Sequence, residues 1–131
     1  MTAPKLERIL CIEDEEDIRK IQVVALEGLG GFKVLACASG AEAIQEAAVF
    51  APDLILLDVM MPGMDGPTTL KSLRTLSGLE ETPVVFLTAK VQPDEIDYYK
   101  ELGALEVISK PFDPMKLASQ LRQIWEFRHA G

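Results

Sequence analysis

Five short aliphatic runs, separated by segments of helical period, constrain this chain more than any other feature. Arg8 to Ile12, Phe32 to Ala36, Leu54 to Leu57, Val84 to Leu87 and Leu105 to Ile108 are rich in Ile, Leu and Val. Runs of that length and content predict strands covered on both faces. Between them, Ile18, Ile21, Ala25 and Leu29 form one helical stripe, and Leu117, Leu121 and Ile124 form another. Ser39 followed by Glu42 reads as a capping box, Pro93 suits a first helical turn, and Gly30-Gly31, Gly78 and Gly103 stand where helices should stop. The pattern is βα repeated five times. Strict alternation implies right-handed crossovers, so the expected fold class is α/β, a doubly wound five-stranded parallel sheet with helices on both faces.

Size and charge narrow the functions open to such a fold. The chain has 131 residues, 48% of them hydrophobic, enough for one core and one compact domain. A formal net charge of −8 argues against a broad grip on nucleic acid or anionic lipid, which needs clustered Lys and Arg. The first eight residues hold no apolar signal core, and no apolar run approaches bilayer length. A cytoplasmic protein with no direct nucleic-acid or membrane partner is the expectation. Cys11 and Cys37 fall in apolar strand-like segments without a CxxC spacing, which points to buried, inert thiols.

In a doubly wound sheet, ligands bind beyond the carboxyl ends of the strands, where the winding reverses. After strand 1 comes Glu13-Asp14-Glu15-Glu16-Asp17; after strand 3, Asp58; after strand 4, Thr88-Ala89; after strand 5, Ser109-Lys110-Pro111. If strands 1 and 3 are neighbours, Glu13, Asp14 and Asp58 converge. Carboxylates so close raise one another's pKa and are tolerated when a cation neutralises them. Hard oxygen donors with room for water suit Mg²⁺ better than zinc or copper.

The acidic pair Glu13-Asp14, the segment LILLDVMMPGMDG at 54–66, FLTA and SKPF together resemble the receiver domain of bacterial two-component response regulators, over Arg8 to about Phe127. The resemblance implies the flavodoxin-like strand order 2-1-3-4-5. It implies that Asp58 is the phosphoacceptor, taking a phosphoryl group from a sensor histidine kinase or a histidine phosphotransfer protein. Mg²⁺ would be held by Glu13, Asp14, Asp58 and the backbone carbonyl of Met60, while Thr88 and Lys110 would each meet a phosphoryl oxygen. The Lys110-Pro111 bond is where the family usually has a cis peptide. Such a protein is a signalling phosphoacceptor and not an enzyme, catalysing only its own phosphorylation and dephosphorylation. A downstream effector of unknown identity would read helix 4, strand 5 and helix 5. Residues 1–131 are expected to be a single receiver domain with its core at about 7–127 and no output domain, either stand-alone or a fragment of something longer, with Met1 favouring the former.

Several neighbouring residues have plainer readings. Glu15, Glu16 and Asp17 suit a solvated first helical turn. Asp53 reads as a turn residue at the opposite end of the sheet, Asp65, Gly66 and Pro67 as the entry to helix 3, and the methionines at 60, 61 and 64 as loop packing. His129, the only histidine, is expected to be neither ligand nor catalyst. A flavodoxin-like flavin carrier would want hydroxyl and Gly donors where this chain places five acids. A haloacid-dehalogenase-type phosphatase resembles Asp-x-Asp at its nucleophile, and here the second position is Met60. One departure from the family pattern is Val107, three residues before Lys110, where many receivers carry an aromatic that moves with the Thr. Tyr98, Trp125 and Phe127 are therefore the expected candidates for a partner surface.

Overall fold

In the computed structural model, which describes residues 4–130, the elements alternate without exception. Strand β1 (Arg8–Ile12) leads to α1 (Glu16–Val23), β2 (Lys33–Cys37) to α2 (Gly40–Phe50), and β3 (Leu54–Asp58) to α3 (Gly66–Leu73). β4 (Val84–Thr88) leads to α4 (Pro93–Glu101), and β5 (Glu106–Ser109) to α5 (Leu117–Ala130). The strands lie in the order β2-β1-β3-β4-β5, every pair parallel. The expected sheet is therefore the observed one.

Alternation along each central strand divides the core. Leu10, Ile12, Ile55, Leu57 and Phe86 face Ala43, Ala47, Leu70, Leu73 and Tyr99 from α2, α3 and α4. Ile9, Cys11, Leu54, Leu56, Val85 and Leu87 face Leu26, Leu117, Leu121 and Trp125 on the other side. A sheet buried on both faces needs strands apolar at every position, and β3 and β4 are buried throughout. Cys11 and Cys37 are free and buried, one in each half-core. Burial pushes the Cys11 thiol up and the Cys37 thiol up to about 12, so neither supplies a thiolate.

Caps and turns fix where the helices begin. Ser39 Oγ accepts from the Glu42 N–H at 3.1 Å, and the Glu42 carboxylate reaches back to the Ala38 N–H at 3.0 Å, one residue beyond the usual reciprocal partner. Asp65 caps α3 by accepting from the Thr68 N–H at 2.9 Å, which places Pro67 second in the helix. Asp53 is more than a turn: its Oδ2 accepts from the backbone N–H groups of Glu7 and Arg8, at 3.0 and 2.9 Å, and so ties the start of β3 to the start of β1.

The structure corrects the sequence reading at the ends of four strands, in α1 and at Trp125. β2 and β5 begin one residue later than expected, and β3 and β4 run one residue longer, taking Asp58 and Thr88 into the ladder. The α1 stripe holds only in part: Ala25 is buried as expected, but α1 continues as a π-helix, Val24–Leu29, closed by a bond from Gly30 N–H to Ala25 carbonyl at 3.1 Å. Gln22 is buried, Ala25 and Leu26 pack in the core, and Ile21 and Leu29 are 44% and 56% exposed. Trp125 is buried, its indole N–H donating to the Pro4 carbonyl at 2.6 Å, which corrects the expectation that it is a candidate for a partner surface. His129 packs on the Trp125 ring with centroids 4.2 Å apart.

Candidate phosphoacceptor site

The winding reverses between β1 and β3, and the loops after β1, β3, β4 and β5 meet over that point. Each site residue is set there by the ladder. Asp58, the last residue of β3, is registered against Leu87, and the next N–H, of Val59, donates to the Leu87 carbonyl at 3.1 Å. Thr88 ends β4 opposite Ser109, and the Lys110 N–H donates to the Thr88 carbonyl at 2.9 Å. Glu13 follows β1, its N–H on the Cys37 carbonyl at 3.0 Å. The Lys110-Pro111 peptide is cis.

Glu13, Asp14 and Asp58 each bring a carboxylate oxygen within 4.8 Å of the others. Lys110 Nζ stands 3.0 Å from both Glu13 Oε1 and Asp58 Oδ1. Neither contact has hydrogen-bond alignment, so these are ion pairs, and Asp58 Oδ2 is buried with no hydrogen-bonding partner. Burial drives the Asp58 carboxyl above the usual range against the pull of the Lys110 ammonium. Glu13 is pushed up to about 7, chiefly by burial, with Lys110 opposing and Asp58 adding repulsion. For Lys110, burial pulls down, but Asp58 and Glu13 together outweigh it and the ammonium is stabilised. One ammonium thus contacts two of the pocket's three carboxylates. An all-oxygen donor set with a buried, unpartnered Asp58 oxygen fits a hard divalent cation. Thr88 is buried, and its Oγ1 accepts from the Lys90 N–H at 3.1 Å, which leaves the hydroxyl proton to donate elsewhere. Met60 is 61% exposed on the loop that follows.

Two contributors escaped the sequence reading. Gly66 presses on the phosphoacceptor strand: a Cβ there would stand 2.7 Å from the Asp58 carbonyl and 2.8 Å from Val59 Cα, so only glycine lets the loop close. Its position between the Asp65 cap and Pro67 was visible, but the reason was not. Arg19 donates through Nη1 to the carbonyls of Glu13 and Asp14, at 2.9 and 3.3 Å. Its only signal was a cation, next to Lys20, following a run of acids.

The chain is similar in sequence and fold to known proteins. The response regulator receiver domain family matches residues 9–122. The DNA-binding response regulator MtrA of Mycobacterium tuberculosis is 35% identical over 116 residues, covering 88% of this chain and 49% of that protein. The alkaline phosphatase synthesis transcriptional regulatory protein PhoP of Bacillus subtilis is 36% identical over 117 residues, covering 89% and 48%. Among solved structures, Vibrio cholerae chemotaxis protein CheY4 superposes with a TM-score of 0.84 at 31% identity, covering 92% of this chain and 99% of that one. The chain belongs to the response regulator receiver family, the phosphoacceptor modules of two-component signalling. It spans about half the length of the curated relatives it matches.

Proposed function

We propose that Asp58 takes a phosphoryl group in a Mg²⁺-dependent reaction and that the resulting acyl phosphate is the signal. The observation that carries this reading is the buried Asp58 carboxylate, one oxygen unpartnered, held between Glu13, Asp14 and Lys110 at the winding reversal. Asp58 attacks phosphorus as the donor's histidine nitrogen leaves with the bonding pair. The Lys110 ammonium and the Thr88 O–H hold phosphoryl oxygens as charge grows on them. Glu13, Asp14, Asp58 and the Met60 carbonyl hold Mg²⁺, which supplies charge neutralisation for the incoming phosphoryl group. All the chemistry is on the chain's own aspartate, with no outside substrate turned over.

The donor is a sensor histidine kinase or a histidine phosphotransfer protein. Its approach is supported by an apolar recess of about 320 Å³ beside Lys110, lined by Ile18, Ile21, Ala89, Phe112 and Pro114. The output surface is the groove along β5 and α5, lined by Val107, Ile124 and Phe127, with Tyr98 exposed on α4. Val107 has one stiff torsion, so its movement alone alters that surface little, and the readout depends on the loop after Thr88 and on α4. Residues 1–131 form one receiver domain in this reading. Among the described residues, no helix is long and apolar enough to cross a membrane.

The test is self-labelling from acetyl phosphate or from a phosphorylated histidine donor. Labelling should require Mg²⁺ and vanish in Asp58→Asn. Undiminished labelling of that variant, or labelling indifferent to EDTA, would falsify the assignment.

A further inference from the structure

We infer that Arg19 is a positioning residue, a clamp on the β1–α1 loop that sets the aim of Glu13 and Asp14. This inference rests on the metal reading of the acidic pocket given above. The loop between Ile12 and Glu16 must turn the chain from a buried strand into a helix while presenting acids toward Asp58. Five consecutive acids, Glu13 to Asp17, repel one another along it. The obvious use for a nearby cation is to pair with one of those carboxylates, as Lys20 does with Glu16 at 3.1 Å. Arg19 does something different. Its Nη1 donates to two main-chain oxygens, those of Glu13 at 2.9 Å and Asp14 at 3.3 Å, and its own N–H donates to the Glu15 carbonyl at 2.9 Å.

One side chain therefore fixes the peptide planes on both sides of Asp14, and with them the Cα–Cβ directions of Glu13 and Asp14. The remaining contacts complete the hold on Glu13: its N–H is on the Cys37 carbonyl and its Oε2 accepts from the Glu15 N–H at 3.2 Å. The guanidinium lies behind the loop, on carbonyls, and leaves the carboxylate oxygens to the pocket. Arg19 is half-buried, so these hydrogen bonds to a charged donor are partly shielded from water and stronger than surface ones. Partners that orient metal ligands in this way commonly set metal affinity by 10- to 100-fold.

The experiment measures Mg²⁺ affinity by calorimetry on the intact chain, with amide hydrogen exchange of residues 13–16 followed separately in EDTA. Arg19→Met keeps the aliphatic stem and removes the donors. The Mg²⁺ Kd should rise about tenfold, and exchange of the loop amides should quicken even without metal. Arg19→Gln, too short to reach both carbonyls, is a second variant with the same expected loss should Arg19→Met fail to fold. Arg19→Lys, which keeps a charged donor, should recover most of the affinity. Folded Arg19→Met or Arg19→Gln with wild-type Kd and wild-type loop exchange overturns the clamp. Asp14→Ala separates the two levels: if it binds Mg²⁺ as tightly as wild type, the acidic pocket is not the metal site, and the reading beneath the inference fails first.

Discussion

Three polar atoms of Glu13 are hydrogen-bonded within the chain, its N–H to the Cys37 carbonyl, its carbonyl to Arg19 and its Oε2 to the Glu15 N–H, while its Oε1 meets Lys110 only as an ion pair. The side chain is nevertheless buried, and burial lifts its pKa from 4.5 to about 7. The sign of the resulting pH dependence is fixed by linkage. Below 4.5 Glu13 is protonated in both folded and unfolded chains; between 4.5 and 7 the unfolded chain releases the proton that the folded chain keeps. Glu13 therefore contributes stability that is fully present below the lower value and is lost as pH rises through the upper one. Denaturant titrations in EDTA, with Glu13→Gln as reference, should show wild-type minus variant stability falling across that window and flat above it. A difference that rises with pH would mean that the Lys110 ion pair outweighs burial. At this scale the site was largely legible, because Asp58, Thr88 and Lys110 are polar residues at the ends of apolar runs. Arg19 was not, because a hydrogen bond to main-chain carbonyls leaves no pattern of residue types.

Among the elements, the strands were read well and α1 was not, for a physical reason. A strand buried on both faces writes itself as continuous aliphatic sequence, whereas a stripe at 18, 21, 25 and 29 presumes 3.6 residues per turn throughout. The π-helical Val24–Leu29 breaks that presumption, and Leu26 takes the core position while Leu29 turns outward. Leu26→Ala should therefore cost about 2–5 kcal/mol, as for a fully buried Leu. Leu29→Ala should stay within about 0.5 kcal/mol, as for an exposed site. Urea denaturation of the pair checks the register; equal losses would restore the regular helix. The strand ends misled in a smaller way. Asp58 and Thr88 were placed just after their strands, yet both are paired ladder residues, and that pairing is what holds their side chains in fixed positions. Trp125 was placed outside because it flanks the α5 stripe by one position; Pro4, distant in sequence, supplies the acceptor that buries it.

For the whole molecule, topology does what no single element can. The order β2-β1-β3-β4-β5 brings residues 13, 58, 88 and 110 to one end of the sheet, and two half-cores on opposite faces hold that end rigid. Asp53, at the opposite end, is tied to β1 backbone and has no share in the pocket. The central claim is that this convergence makes Asp58, among all the carboxylates of the chain, the one that reacts. Reductive trapping with borohydride after incubation with acetyl phosphate and Mg²⁺ converts an aspartyl phosphate to homoserine, and peptide mass spectrometry then locates it. The expected result is homoserine at position 58 alone, absent when EDTA replaces Mg²⁺. Homoserine at Asp14, Asp53 or another aspartate, with Asp58 unmodified, would contradict the account.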